Sequence, residues 1–212
     1  GEPFTFEYDT IVMTAGAVSR TFPIPGVADN AIGLKTIEEA ASIRDRLTDN
    51  FAKAATLPPG PERDRLLTVV VVGGGFAGIE VFGELRSFAS ALVGAYDTIS
   101  FSDTHFHLIE AMGRIMPEVS LETSKWVLRD LDRRGATVHL DTQLASAVDG
   151  KIELSTGETF ESDLIVWTAG VMANPVVRGT DLPIEERGRL RAQADLRIVD
   201  ENGEVVPDAW TA

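Results

Sequence analysis

Short unbroken apolar runs alternate through the middle of this chain with longer stretches that carry helix signals. Residues 66–72 are almost wholly apolar and rich in valine, which predicts a strand buried on both faces. A helix is expected over about 78–93, a second strand over 105–110, and a helix over 122–134 ended by Gly135. Shorter strands follow at 138–140 and 145–148, and residues 151–154 and 159–160 flank Thr156-Gly157 as a hairpin. An apolar strand at 164–167 completes the series, and the chain is loop-rich from Met172 until a last strand near 196–199.

Upstream, residues 1–16 read as a β-hairpin, and 17–35 read as loop because Pro23, Pro25, Gly26 and Gly33 interrupt them. Thr36 is placed to cap a helix running to about Ala55, with Glu38 and Glu39 in its first turn. Leu57-Pro58-Pro59-Gly60-Pro61 stops that helix and marks a linker. Strand and helix in strict alternation, with apolar strands, predict an α/β fold of the Rossmann type. Its doubly wound parallel sheet would carry an added antiparallel hairpin or meander.

The chain also repeats itself. Residues 5–16, TFEYDTIVMTAG, match residues 159–170, TFESDLIVWTAG, at nine of twelve positions with a constant offset of 154. In each copy an acidic residue precedes a short apolar run that ends in Thr-Ala-Gly. The Ala-Gly ending removes side-chain bulk where backbone meets a ligand or a neighbouring strand. Two related nucleotide domains, each closing its sheet with this strand, explain the echo.

Composition narrows the chemistry. The 212 residues carry a formal net charge of −14, with no basic run longer than Arg133-Arg134, so nucleic acid is not an expected partner. No cysteine is present, which removes thiol–disulfide catalysis and Cys-ligated metals from this chain. The most apolar stretch, 66–83, has five glycines and Glu80, and reads as strand then helix without a transmembrane segment.

The chemistry sits at Gly73-Gly74-Gly75-Phe76-Ala77-Gly78, a G-x-G-x-x-G directly behind the valine run and opening a helix. Gly73 would permit the tight turn, Gly75 the close approach of a pyrophosphate, and Gly78 the packing of helix on sheet. The pyrophosphate would rest on free N–H groups at the helix start. An acid at the end of the second strand should bind a ribose. Asp97 has about the usual spacing but follows helix, whereas Glu110 stands directly behind the 105–109 strand and is preferred. A carboxylate there repels a 2′-phosphate and favours NADH over NADPH; Arg114, four residues on, would soften that preference. Glu80 reads equally as a first-turn charge facing the helix dipole or as a contact at the nicotinamide end.

Other candidates carry less. His105 and His107 share one strand face, but no third ligand accompanies them, so no metal site is expected. No G-x-S-x-G elbow occurs. Arg187, Arg189 and Arg191 read as a solvated face, and Met112 and Met116 as fillers of apolar gaps.

These motifs together resemble the type II NADH:quinone oxidoreductases, within the two-dinucleotide-domain flavoproteins (the pyridine nucleotide-disulfide oxidoreductase superfamily). The resemblance rests on VVVGGGFAGIE at 70–80, LIEAMGRIMP at 108–117, VWTAGVMANP at 166–175, and Ile24-Pro25-Gly26 with Gly33-Leu34-Lys35-Thr36. It implies NADH pyrophosphate at Gly73, Gly74, Gly75, Phe76, Ala77 and Gly78, and its adenosine ribose at Glu110. Glu80 would lie near the nicotinamide, and Ala169 and Gly170 would border the cofactor cleft; no catalytic residue is assigned. Hydride would pass from NADH to FAD and electrons then to a quinone.

The glycine motif occurs once, and the chain ends before the Gly-Asp signature of the family's flavin site. The expectation is therefore a fragment, inactive alone, in which FAD belongs only to the full-length protein. Residues 1–36 would be the end of a first FAD-domain segment, 37–65 a connecting helix and linker, 66–172 the NADH domain, and 173–212 the start of a second FAD-domain segment. Expected partners are NADH and, for the full-length protein, a quinone, with a homodimer among the assemblies allowed. Expected placement is cytoplasmic, the full-length protein being peripheral on the cytoplasmic face of a membrane. Competing readings are a reductase with a ferredoxin- or rubredoxin-type acceptor, and a non-catalytic module sensing NADH.

Overall fold

A computed structural model describes residues 4–212, which divide into two units: residues 19–170, and residues 4–18 with 171–212. The larger unit is built on a parallel five-stranded sheet in the order Ala31–Gly33, Leu164–Trp167, Thr68–Val72, His105–Ile109 and Thr137–His139. The two central members, Thr68–Val72 and Leu164–Trp167, are buried at every position, as their unbroken apolar runs require.

Successive side chains of these strands feed two different cores. Val69, Val71, Leu108, Leu164 and Val166 pack with apolar residues of the helices Ile37–Ala54, Phe76–Val93 and Leu121–Arg133. Val70, Val72, Ile109, Ile165 and Trp167 face the other way, against Leu144, Ile152 and Leu154. Those three belong to an antiparallel meander of Leu144–Ser146, Lys151–Leu154 and Thr159–Glu161. The long helices thus cover one face of the parallel sheet and the meander covers the other.

Helix Ile37–Ala54 begins with a complete capping box, Thr36 accepting from the Glu39 N–H and Glu39 from the Thr36 N–H. Ser120 caps Leu121–Arg133, and Gly135 turns out of that helix with φ +74°. The Pro-rich segment proves to launch a further short helix, Pro61–Leu66, with proline in its first turn.

Residues 17–35 are not plain loop. They hold the strands Ala17–Ser19 and Ala31–Gly33 and the one-turn helix Val27–Asn30. Three-residue strands pinned by a neighbour leave no periodic trace, so breakers dominated the reading of this stretch.

The smaller unit has a four-stranded sheet in the order Ile11–Met13, Val205–Thr211, Arg197–Val199, Arg191–Ala192, with Ile11–Met13 parallel to Val205–Thr211. The two chain ends are therefore joined in one sheet. No hairpin occupies residues 4–16: residues 4–10 have no strand, and the expected hairpin's first three residues lie outside the described ones. The strand Val205–Thr211 was not expected because Pro207 interrupts its pattern. Its pairing with Arg197–Val199 shifts register, and Asp208 beside the proline takes φ +54°, so the missing N–H falls in the irregular part of the ladder.

Candidate functional site

Strand Thr68–Val72 runs out at Gly73, whose N–H donates to the Ile109 carbonyl at 2.8 Å and whose φ is +109°. A Cβ here would lie 2.8 Å from Thr168 Oγ1 and 2.9 Å from Ala169 N, so only glycine fits the turn. Gly74 is held from both sides: its N–H donates to Glu110 Oε2 at 2.6 Å, and its carbonyl accepts from Met116 N at 2.7 Å. At Gly78 a Cβ would be driven into the Gly73 carbonyl, which lets helix Phe76–Val93 lie directly on the loop.

Gly75 differs from these three. Its φ of −73° is open to any residue, and a Cβ added to it would meet nothing within 4 Å. The protein's own packing therefore gives no reason for a glycine at this position. Gly75 is also the N-cap of Phe76–Val93, and no side chain caps that helix and no acid sits in its first turn. The first N–H groups of this 18-residue helix are thus left without a side-chain cap where the loop has spare room, while the neighbouring Glu110 carboxylate is engaged by the Gly74 N–H.

That room is a cavity of about 530 Å³. Gly73, Gly75 and Glu110 form one side of its lining, and Phe22, Trp167 and Ala169 contribute to the rest. Glu110 stands at the end of strand His105–Ile109, its second oxygen accepting from the Met112 N–H at 2.7 Å. Thr168 ties the end of its strand to the glycine turn: its N–H donates to the Val72 carbonyl at 2.8 Å, and its hydroxyl lies 2.9 Å from Val72 O and 3.1 Å from Gly73 O. The Trp167 indole N–H donates to the Arg20 carbonyl at 2.8 Å, and its ring meets Phe22 edge-on at 6.0 Å.

The structure brings Gly73, Gly75, Glu110 and Ala169 together around this cavity, with Gly74 immediately behind. Phe76 and Ala77 are exposed at the helix start, and Gly78 is buried beneath the loop. Gly170, at φ +130°, faces Phe22. Glu80 is exposed and outside the cavity lining; since the helix starts at Phe76 it falls in the second turn, which weakens its dipole role. Asp97 lies in an exposed turn outside the lining. Phe22, Thr142, Gln143 and Leu144 line the cavity without having been singled out from the sequence, and Ile24, quoted only for the family resemblance, joins them. Thr168 stood in the repeated Thr-Ala-Gly, where its hydroxyl was the available signal.

The histidines form a packed group rather than a metal set. His107 Nδ1 and His139 Nε2 are 3.0 Å apart, and the His107 ring stacks on Phe160 at 4.1 Å. Burial pushes His107 down to about 4, with His139 and His105 adding repulsion. Among the described residues no three His, Cys, Asp or Glu side chains are grouped to hold a metal ion. Met116 packs against the helix-side core, whereas Met112 is half exposed and fills no gap.

Residues 1–206 match the family described as pyridine nucleotide-disulphide oxidoreductase. The chain belongs to this family. With no cysteine, this pyridine nucleotide-disulphide oxidoreductase chain holds no redox disulphide of its own. It is 30% identical over 200 residues to a probable NADH dehydrogenase of Dictyostelium discoideum, covering 93% of this chain and 44% of that protein. It is 33% identical over 202 residues to the type II NADH:quinone oxidoreductase NdhA of Mycobacterium tuberculosis, covering 90% and 43%. A solved structure of NDH2 from Plasmodium falciparum in complex with NADH superposes with a TM-score of 0.85 at 21% identity, over 97% of this chain and 43% of that one. That likeness establishes the shared fold. The chain spans less than half the length of these relatives.

Proposed function

We propose that residues 19–170 form the NADH site of a flavin-dependent NADH dehydrogenase that delivers electrons to a quinone. The observation that carries this reading is Gly75: a glycine that packing does not require, at an uncapped helix N-terminus, lining a cavity of about 530 Å³. A backbone without Cβ, next to free N–H groups and a helix dipole, is what a pyrophosphate needs in order to approach closely. Names given to the relatives, NADH dehydrogenase and NADH:quinone oxidoreductase, support the same assignment.

In this reading Gly75, Phe76 and Ala77 present N–H groups to the pyrophosphate, and Glu110 takes the adenosine ribose. Each Glu110 oxygen already accepts one backbone N–H and retains a lone pair for a ribose hydroxyl. The same carboxylate disfavours a 2′-phosphate by charge repulsion, which makes NADH the preferred nucleotide. Ala169 and Gly170 keep the far side of the cleft free of bulk, and Glu80 is proposed near the nicotinamide end. When bound, NADH would supply the hydride, and FAD in the longer protein that this reading implies would be its acceptor.

Residues 1–18 and 171–212, the smaller unit, would then belong to the FAD-binding part, and the whole protein would attach to the cytoplasmic face of a membrane. No described helix is long and apolar enough to cross a membrane.

Calorimetric titration of the chain with NADH and NADPH tests the proposal. Saturable binding of NADH, weaker binding of NADPH and no quinone reduction are expected. Absence of NADH binding at millimolar cofactor would refute the reading.

A further inference from the structure

The segment that follows Glu110 is built as a brace against the glycine loop. Arg114 turns inward and its Nη2 donates to two carbonyls of its own segment, Met116 O at 3.2 Å and Val119 O at 2.6 Å. Its Nε is sealed from solvent without a hydrogen-bond partner, a cost the fold accepts to keep the guanidinium there. At the first of these carbonyls the chain is bent, with Met116 at φ +47°, a left-handed conformation uncommon for a side chain of that size. In this bent form Met116 N–H reaches the Gly74 carbonyl at 2.7 Å, and Ile115, fully buried, wedges against Gly74 where a Cβ would be 2.8 Å from its Cγ2. Buried Ser124 locks the far side by donating to the Ile115 carbonyl at 2.8 Å.

We propose that Arg114 is a positioning residue: it holds residues 110–119 in the bent form that clamps Gly74, and so sets the glycine loop before any nucleotide arrives. The inference rests on the NADH reading above for its consequence, not for its geometry. Gly74 is gripped at its N–H by Glu110 and at its carbonyl by Met116. The acid that would read the ribose and the loop that would hold the pyrophosphate are thereby one mechanical unit. It also reassigns Arg114, whose proximity to Glu110 in sequence suggested contact with a 2′-phosphate. Arg114 does not line the cavity, and its Nη2 is spent on two backbone carbonyls of its own segment.

The test replaces Arg114 by methionine, which keeps the apolar stem and removes the donors, and by lysine, which can reach one carbonyl. Amide hydrogen exchange is read at Gly74 and, as a control, at Val70 in the neighbouring strand. NADH and NADPH affinities are measured in parallel. The expected result for R114M is exchange at Gly74 faster by about tenfold or more with Val70 unchanged. NADH and NADPH should weaken by the same factor, with R114K falling between R114M and the native chain. Loss of NADPH binding alone, or unchanged exchange at Gly74 in both variants, would overturn the proposal. If R114M does not fold, R114K carries the test by the same criteria. A native chain that binds neither nucleotide would fail the NADH reading, while exchange at Gly74 would still decide the brace.

Discussion

Exchanging Gly75 for alanine separates what the loop needs to fold from what it needs to bind. The added Cβ meets no protein atom within 4 Å and the backbone at φ −73° accommodates it without strain. Two small effects on stability oppose each other. Alanine restricts the unfolded chain, worth about 0.4–1 kcal/mol in favour of folding. It is also a poorer N-cap than glycine, by roughly 0.5–1 kcal/mol. The net change should stay within about 1 kcal/mol, or about 2–4 °C in Tm for a chain of this size. Gly75 lines the cavity at the helix N-terminus, so the same methyl group adds bulk where, on the NADH reading, a phosphate oxygen must come within hydrogen-bond distance of backbone. NADH affinity is therefore expected to fall by about 10- to 100-fold, equivalent to roughly 1.4–2.7 kcal/mol.

Gly78→Ala is the counterpart. Its Cβ would run into the Gly73 carbonyl and lie 2.8 Å from Thr168 Oγ1, so backbone must move. Overpacking of this kind costs about 3 kcal/mol, and Tm should drop by roughly 6–12 °C. Differential scanning calorimetry and isothermal titration on both variants read the two effects independently. Native-like NADH affinity in G75A, or a loss of stability in G75A as large as in G78A, would refute the assignment of Gly75 to a ligand.

Two further outcomes follow from local chemistry. His107 is held down to about 4, chiefly by burial, whereas in the unfolded chain it titrates near 6.5. The unfolded state therefore binds more protons between these values, and stability should decline as pH falls from about 6.5 towards 4, by roughly 2–3 kcal/mol. Urea unfolding at pH 7 and pH 4.5 should show this decline reduced in His107→Phe; an identical pH dependence in the variant would exclude His107 as its source. Thr36→Ala removes the side-chain half of the capping box on Ile37–Ala54 and should cost about 1 kcal/mol, read as a lower urea midpoint.

Much of the scaffold was legible because its signals are local. The valines at 69–72 demand burial on both sides, Thr36 and Glu39 cap each other three residues apart, and Gly135 ends its helix by its own backbone freedom. The glycine motif and Glu110 were legible for the same reason: each is set by its position relative to one strand. The chain's likeness to its family lay in these segments too. What the sequence did not disclose was assembled from distant parts. Phe22, Ile24 and residues 142–144 reach the cavity only because short segments without periodicity are laid against the sheet by tertiary packing.

The smaller unit shows the same division. Val205–Thr211 is a strand despite Pro207 because Ile11–Met13, almost two hundred residues away, supplies a regular parallel partner on one side. Sequence by itself determined where the chain turns, caps and buries, because those choices cost or gain free energy within a few residues. Tertiary structure alone decided that Gly75 faces open space while Gly73, Gly74 and Gly78 are packed shut. It also decided that Met116 is bent back to grip Gly74, some forty residues away, while Arg114 donates to the carbonyls of that bent segment.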